Sequence, residues 1–149
     1  MGIPPHGLLR WRLMALKTGS ARLSVRSRKR ADVVDITERV QAVVSQSGVD
    51  TGLCQVYVPH TTAGVFINEN ADPDVMDDFL ATLDRLVPWQ NDYQHAEGNA
   101  AAHIKSSLIG TSQTVPVRDG KLALGPWQGI YFAEFDGPRE RHFQVTVIG

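Results

Sequence analysis

Between His95 and Ser107 the chain sets two imidazoles (His95, His103), a carboxylate (Glu97), a carboxamide (Asn99), an ammonium (Lys105) and two hydroxyls (Ser106, Ser107) within thirteen residues. Apart from alanines, Ile104 is the only large apolar side chain among them. A segment with so little apolar surface is poorly suited to filling a core. It reads instead as the wall of a site for a metal or an anion.

The partners must come from elsewhere in the chain. His60, followed by Thr61 and Thr62, is a third imidazole among small polar residues. Neutral imidazole is the commonest metal ligand, and three protein ligands with one open position mark a catalytic site. His60, His95 and His103 are therefore the candidate ligands of a divalent metal, zinc or magnesium. Their spacing matches no His-Glu-x-x-His motif, and a single histidine in such a setting is more often hydrogen-bonded than a ligand. His142, beside Arg141 at a strand start, reads as structural.

Two carboxylates stand next to carboxamides. Glu69 lies between Asn68 and Asn70, and Glu97 lies two residues before Asn99. Glu69, Asn70, Glu97 and Asn99 form the candidate catalytic set, in which either carboxylate could be a general base, an additional metal ligand or a group that orients a histidine. The plainer alternatives are a turn residue for Glu69 and an exposed loop acid for Glu97. The helix expected after Asn99 offers free backbone N–H groups at its start, which suit a phosphate. Thr61, Thr62, Lys105, Ser106, Gln128, Arg139 and Arg141 are the candidate substrate and phosphate ligands. Trp127 is expected in a core or a subunit interface.

The elements that must hold these groups follow from periodicity. Residues 16–27 alternate as a half-buried strand. Asp35 and Glu38 are spaced as a capping box for a helix that Gly48 ends. Strands are expected over 53–58 and 64–67. Asp72-Pro73 opens a helix whose apolar stripe runs from Val75 to Leu86. A third helix runs from Asn99 to Gly110, with Ala101, Ile104 and Leu108 on one face and Asn99, His103, Ser106, Ser107 and Gly110 on another. Strands 111–118 and 121–124 form a hairpin across Asp119-Gly120, and 127–135 is expected to pair with 141–148. Strands and helices do not alternate regularly, so the fold class is α+β.

Composition narrows the possible functions. The chain has 149 residues, enough for one domain over 14–149 after a disordered leader, 1–13. A single cysteine, Cys54, excludes an internal disulfide and points to a reducing, cytoplasmic setting. No apolar run reaches the ~20 residues that span a membrane. Residues 1–30 hold eight basic residues and no acid, while the rest of the chain carries a net −9. A body that acidic argues against nucleic acid as a partner.

Several motifs together resemble one family. Pro59-His60-Thr61-Thr62-Ala63, Asn68-Glu69-Asn70-Ala71-Asp72-Pro73, His95-Ala96-Glu97-Gly98-Asn99 with His103-Ile104-Lys105, Gly120–Gly125 with Trp127-Gln128, and Asp136-Gly137-Pro138-Arg139 with Arg141 are similar to the YjbQ-like family over residues 16–149. The resemblance implies an α+β sandwich of antiparallel strands with three helices, a homotrimer, and a small-molecule site at the subunit boundary. It also implies a transferase activity, a secondary thiamine-phosphate synthase that joins a pyrimidine pyrophosphate to a thiazole phosphate. The residues are equally compatible with a metal-dependent phosphohydrolase or a non-catalytic trimeric ligand-binding protein.

Overall fold

The computed structural model describes residues 15–149; the expected leader, with His6, lies outside the described residues. Two antiparallel sheets and three helices follow the order β1 Thr18–Arg26, β2 Asp32–Asp35, α1 Thr37–Ser47, β3 Gly52–Tyr57, β4 Ala63–Glu69, α2 Pro73–Leu86, α3 Ala100–Ile109, β5 Ser112–Arg118, β6 Lys121–Leu122, β7 Gln128–Glu134 and β8 Glu140–Ile148. The larger sheet has the order β1-β8-β3-β5-β6 and the smaller β2-β7-β4. This is the expected α+β arrangement. No described helix is long and apolar enough to cross a membrane.

Alternation builds the layers. Val25 of β1, Cys54 and Val56 of β3, Val115 and Val117 of β5 and Phe143, Val145 and Val147 of β8 face inward from the larger sheet. They meet Val40, Val43 and Val44 of α1 and Val65, Ile130 and Phe132 of the smaller sheet in one core. The next residues along β7 point the other way. Ala133, with Phe135 just past the strand, packs on Leu83 of α2 and Ala102 of α3 in a second cluster. The smaller sheet is thus covered on both faces. The outer face of the larger sheet stays open, with Leu53, Tyr57 and Ile148 exposed at 55%, 42% and 46%.

Most expected elements stand where periodicity put them. Asp72 caps α2 by accepting from Asp74 N–H at 2.9 Å, with Pro73 in the first turn. Asp119 and Gly120 take φ of 53° and 71° between β5 and β6, the left-handed pair that a two-residue hairpin requires.

Four local expectations are corrected. β7 and β8 do not pair; β7 lies between β2 and β4, and β8 between β1 and β3. At the Asp136–Arg139 turn the amides are spent elsewhere, Gly137 N–H on Arg30 C=O and Arg139 N–H on Ser27 Oγ, with Phe135 N–H just before it on Thr62 C=O, so the chain crosses from one sheet to the other. A short strand, β2, forms at Asp32–Asp35. Ile36, not Asp35, is the N-cap of α1. Asp35 accepts instead from the Thr37 N–H and hydroxyl at 2.9 and 2.5 Å, and one residue of offset removes the capping box. Finally, α3 turns Ala101, Ala102, Lys105 and Ser106 inward and leaves Ile104 and Leu108 exposed. The alanines let the helix sit close to β4, and Ser106 Oγ donates to Ala63 C=O at 2.6 Å.

The inward alternation of β7 and β8 ends in charge. Glu134 continues the Ile130–Phe132 face, and Arg141 continues the Phe143–Val145–Val147 face. Arg141 Nη2 donates to Glu134 Oε2 at 2.6 Å and Nε to Oε1 at 2.9 Å. Arg141 Nη2 also reaches Thr62 Oγ1 at 2.7 Å. Ser27 Oγ and the amides of Phe135 and Asp136 complete the carboxylate's partners. Removing one member of such a buried pair strands the other charge, at a cost of about 3–5 kcal/mol. Urea unfolding of Arg141→Met should show a loss of that size. Adding Glu134→Gln, which removes the stranded charge, should recover part of it; an unchanged midpoint in Arg141→Met would contradict the linkage.

Candidate functional site

β3 stops before Pro59, and the loop His60-Thr61-Thr62 carries the chain into β4. His142 N–H, on β8, donates to His60 Nε2 at 3.0 Å. With that lone pair engaged, the neutral ring carries its proton on Nδ1. Burial, and then the Arg141 charge, lower the His60 pKa from its ordinary value, so the ring is neutral near pH 7. His60 is therefore a positioned hydrogen-bond donor. While it keeps the His142 bond it has no lone pair for a metal.

His103 lies across a cavity of about 410 Å³ from His60, with Thr61, Ser106, Ser107, Gly110 and Thr111 as the other walls. His95 meets His103 edge-on, ring centres 5.1 Å apart, and its Nε2 stands 3.9 Å from the exposed Glu97 carboxylate. A neighbouring cavity of about 420 Å³ continues past His60 and Thr61 to Tyr57 and Arg141. The structure thus joins His60, Thr61, His95, Glu97, His103 and Ser106 at one end of the molecule. The cavity meets α3 at its C-terminal half, where the helix dipole favours positive charge. The phosphate expected at the start of α3 is not where the cavity opens.

Several candidates have other occupations. Lys105 lies two residues from His103, so it projects from roughly the opposite side of the helix. It is 3% exposed and paired with Asp84 at 3.1 Å. Arg141 is buried on Glu134, the Thr62 hydroxyl accepts from Arg141, and the Ser106 hydroxyl is spent on Ala63. Asn99 stands at the N-cap position without a capping bond. Its Nδ2 donates to Asp136 Oδ2 at 3.0 Å, and its buried Oδ1 has no partner. Asp136 also takes Arg139, through Nη2 at 3.0 Å and through Nε on its carbonyl at 2.8 Å. Asp136 is the joint between Asn99 and Arg139.

Glu69, Asn70 and Gln128 sit at the other end. Six residues of β4 separate Glu69 from the His60 loop, a span of about 20 Å, and Glu69 pairs with Gln128 in register. There Asn70 Nδ2 approaches Asp35 Oδ2 at 3.5 Å and Tyr131 OH donates to Glu69 C=O at 3.1 Å. Gly129 has to be glycine, because a Cβ there would stand 2.7 Å from the Asn70 amide. Burial, then Asp35 and Glu69, raise the Tyr131 pKa. Trp127, at the same end, is 64% exposed rather than buried in a core.

Sequence reasoning missed Glu134, Asp136 and Thr111. Glu134 carried a usable signal, an acid on the apolar face that Ile130 and Phe132 define. Asp136 stood in the Asp136-Gly137-Pro138-Arg139 motif, three residues from Arg139, but its bond to Asn99 spans 37 residues and left no local trace; Thr111 carried no signal. Among the described residues, no three His, Cys, Asp or Glu side chains lie close enough to hold a metal. With His60 engaged as well, the donor set of this chain does not fit the three-histidine centre expected from the sequence.

A family model, UPF0047 protein YjbQ-like, matches residues 21–149. A UPF0047 protein of Methanocaldococcus jannaschii is 54% identical over 84% of this chain and 91% of its own. UPF0047 protein YugU of Bacillus subtilis is 50% identical over 85% and 97%. A crystal structure of a YbjQ-like protein of unknown function from Sulfolobus solfataricus superposes with a TM-score of 0.87 at 34% identity, covering 90% of this chain and 99% of that one. A YjbQ/UPF0047 family structure from Clostridium acetobutylicum gives 0.84 at 51% identity, covering 85% and 98%. The chain belongs to the YjbQ-like UPF0047 family.

The His60 geometry is directly measurable. Nitrogen chemical shifts of its ring should show the Nδ1–H tautomer at pH 7, and its titration midpoint should lie below 6.5. Because the folded pKa is depressed, stability linked to this ring is present above the unfolded pKa and falls as pH drops towards the folded value. A midpoint at or above 6.5, or the Nε2–H tautomer, would overturn the assignment.

Proposed function

We propose that this member of the YjbQ-like family is an enzyme acting on a phosphorylated small molecule, with His103 as its proton-transfer group. The observation that carries the reading is the placement of two imidazoles on one cavity. One is locked as a neutral donor by a backbone amide, and the other is not so held. A fixed donor beside an uncommitted imidazole is the arrangement that general acid–base chemistry needs. The walls hold hydroxyls and no permanent charge, so the chemistry rests on hydrogen bonds and proton transfer.

The specific reaction implied by the resemblance is the joining of a pyrimidine pyrophosphate to a thiazole phosphate. A carbon–nitrogen bond forms, a carbon–oxygen bond breaks, and pyrophosphate departs with the electron pair. His103 as an imidazolium would hydrogen-bond a departing oxygen, and Nδ1–H of His60 would hold a second. A divalent cation, zinc or magnesium, joins this proposal only if a neighbouring subunit adds a ligand to His95 and His103. No step here depends on it.

The proposal includes assembly as a homotrimer. Its support is the open outer face of the larger sheet, where Leu53 and Ile148 pair across β3 and β8 and Tyr57 leads into the His60 cavities. Glu69, Asn70 and Gln128, stranded about a strand's length away in one chain, enter the site in this reading from a neighbour.

Two measurements test this. Pyrophosphate release should accompany coupling of the two substrates, and His103→Ala should lower kcat about 100-fold or more with an unchanged circular dichroism spectrum. Release of inorganic phosphate from generic phosphoesters would make the protein a phosphohydrolase instead. Full binding without turnover, across a broad set of phosphorylated metabolites, would make it a ligand-binding protein. Light scattering should give three times the 16.4 kDa chain mass, and Leu53→Arg should lower it; a monomer at micromolar concentration would sink the trimer.

A further inference from the structure

The positive charge of the described chain gathers where β1 leaves the larger sheet. Arg26, Arg28, Lys29 and Arg30 are all exposed there, beside Arg139 of the sheet-crossing turn. Not all of this charge is free to act. The Arg30 guanidinium lies 4.3 Å over the Trp89 ring, and the Asp32 carboxylate, which accepts from the Arg28 backbone N–H, sets a negative charge beside this stretch. Arg26 and Arg139 differ, because they line a groove of about 330 Å³ with Ser27, Pro138 and Glu140.

The two banks of this groove are fixed to each other. Ser27 N–H donates to Arg139 C=O at 2.9 Å, and Gly137 N–H to Arg30 C=O at 3.0 Å. Arg139 N–H donates to Ser27 Oγ at 2.8 Å, and that hydroxyl, 2% exposed, donates to the buried Glu134. The groove is therefore anchored to the charged end of the core. Asp136 holds Arg139 by Nε and Nη2, which aims the guanidinium and leaves the rest of its five N–H donors open. Arg26 faces Glu140 at 4.0 Å, with side chains 78% and 60% exposed. Such a pair contributes little and gives way to a better acceptor.

We propose that the groove between Arg26 and Arg139 is an oxyanion site that takes a phosphate or pyrophosphate group. A carboxylate's two oxygens lie in one plane and are matched by a single guanidinium fork. A phosphate or pyrophosphate has enough oxygens to bridge both banks. Glu140 opposes any anion from the rim, so the site selects a ligand charged strongly enough to displace it from Arg26. The acidic remainder of the chain disfavours a long polyanion, whereas a compact one is drawn to the basic corner. The groove shares no lining residue with the His60–His103 cavity, but Asn99, Asp136 and Arg139 link the two. Its assignment as the phosphate end of the substrate site rests on the proposed function; its binding of phosphate does not.

The test is calorimetric titration of the folded protein with inorganic pyrophosphate and inorganic phosphate. Pyrophosphate should bind more tightly than phosphate. Arg26→Gln and Arg139→Gln should each weaken it about tenfold, as loss of one charge-assisted contact does. Arg139→Lys, which keeps the charge without the fork, should fall between, and guards against a folding defect in the glutamine variant. Arg22→Gln, on β1 outside the groove, should bind as wild type. In His103→Ala, which loses turnover, adding Arg139→Gln should still weaken pyrophosphate by the same factor as in wild type. If it does, failure of catalysis and failure of the groove are separable. Equal binding by wild type and Arg139→Gln would overturn the proposal. So would equal weakening in Arg22→Gln, which would mean diffuse attraction, or tighter binding of a single-stranded RNA that depends on Arg28, Lys29 and Arg30.

Discussion

A carboxylate and a guanidinium, both cut off from water, close the charged end of this protein's core. Glu134 and Arg141 take positions that alternation reserves for apolar residues, one on each sheet. The attraction between them is strong because the surroundings are dry, and for the same reason neither can be left alone. Their remaining hydrogen-bond capacity is used on Ser27, Thr62 and the amides of Phe135 and Asp136. One ion pair thereby fixes the β1 exit, the loop before β4 and the turn between sheets. The three segments that border the candidate site depend on it.

That dependence explains how roles are divided among residues that look alike in sequence. Arg139 and Arg141 stand two apart, a spacing that puts side chains on one side of a strand, but Arg139 precedes β8 and is held in the turn by Asp136. One is buried in the core and the other lies on the surface. His103 and Lys105 are separated by the same interval on a helix, where about 100° of turn per residue sends them to roughly opposite sides. Thr61 faces the cavity, while Thr62 supports Arg141. At each of these places the polar residue nearest the chemistry is backed by another that holds the scaffold.

The electrostatic layout follows. The walls of the His60–His103 cavity carry no Asp, Glu, Lys or Arg and lie towards the carbonyl end of α3, whereas the permanent positive charge is collected at the β1–β2 corner. A ligand with an uncharged ring system and an anionic tail matches this separation better than a compact anion in the histidine cavity would. The linking group is Asp136. Its carboxylate can only accept when ionised, so it orders the donors of Asn99 and Arg139 around itself.

Local periodicity by itself determined which stretches form helices and strands, because burial on one face imposes a repeat that can be read without knowing the partner. It gave α2 with its Asp72 cap, the Asp119-Gly120 hairpin and the α+β class, and the clustered polar motifs marked His60, His95 and His103 as residues of one region. Only the tertiary structure decided which strands pair. The Asp136–Arg139 turn has hairpin-like residues, but its Gly137 N–H is claimed by Arg30 C=O and its Arg139 N–H by Ser27 Oγ, far away in the chain. It also decided that Glu69, Asn70 and Gln128 lie a strand's length from the histidines, that His60 spends its lone pair on His142, and that Arg141 belongs to the core. Each of these depends on a contact between residues distant in sequence, and no local pattern encodes such a contact. The His95–Ser107 segment was legible as a wall; what it faces was not.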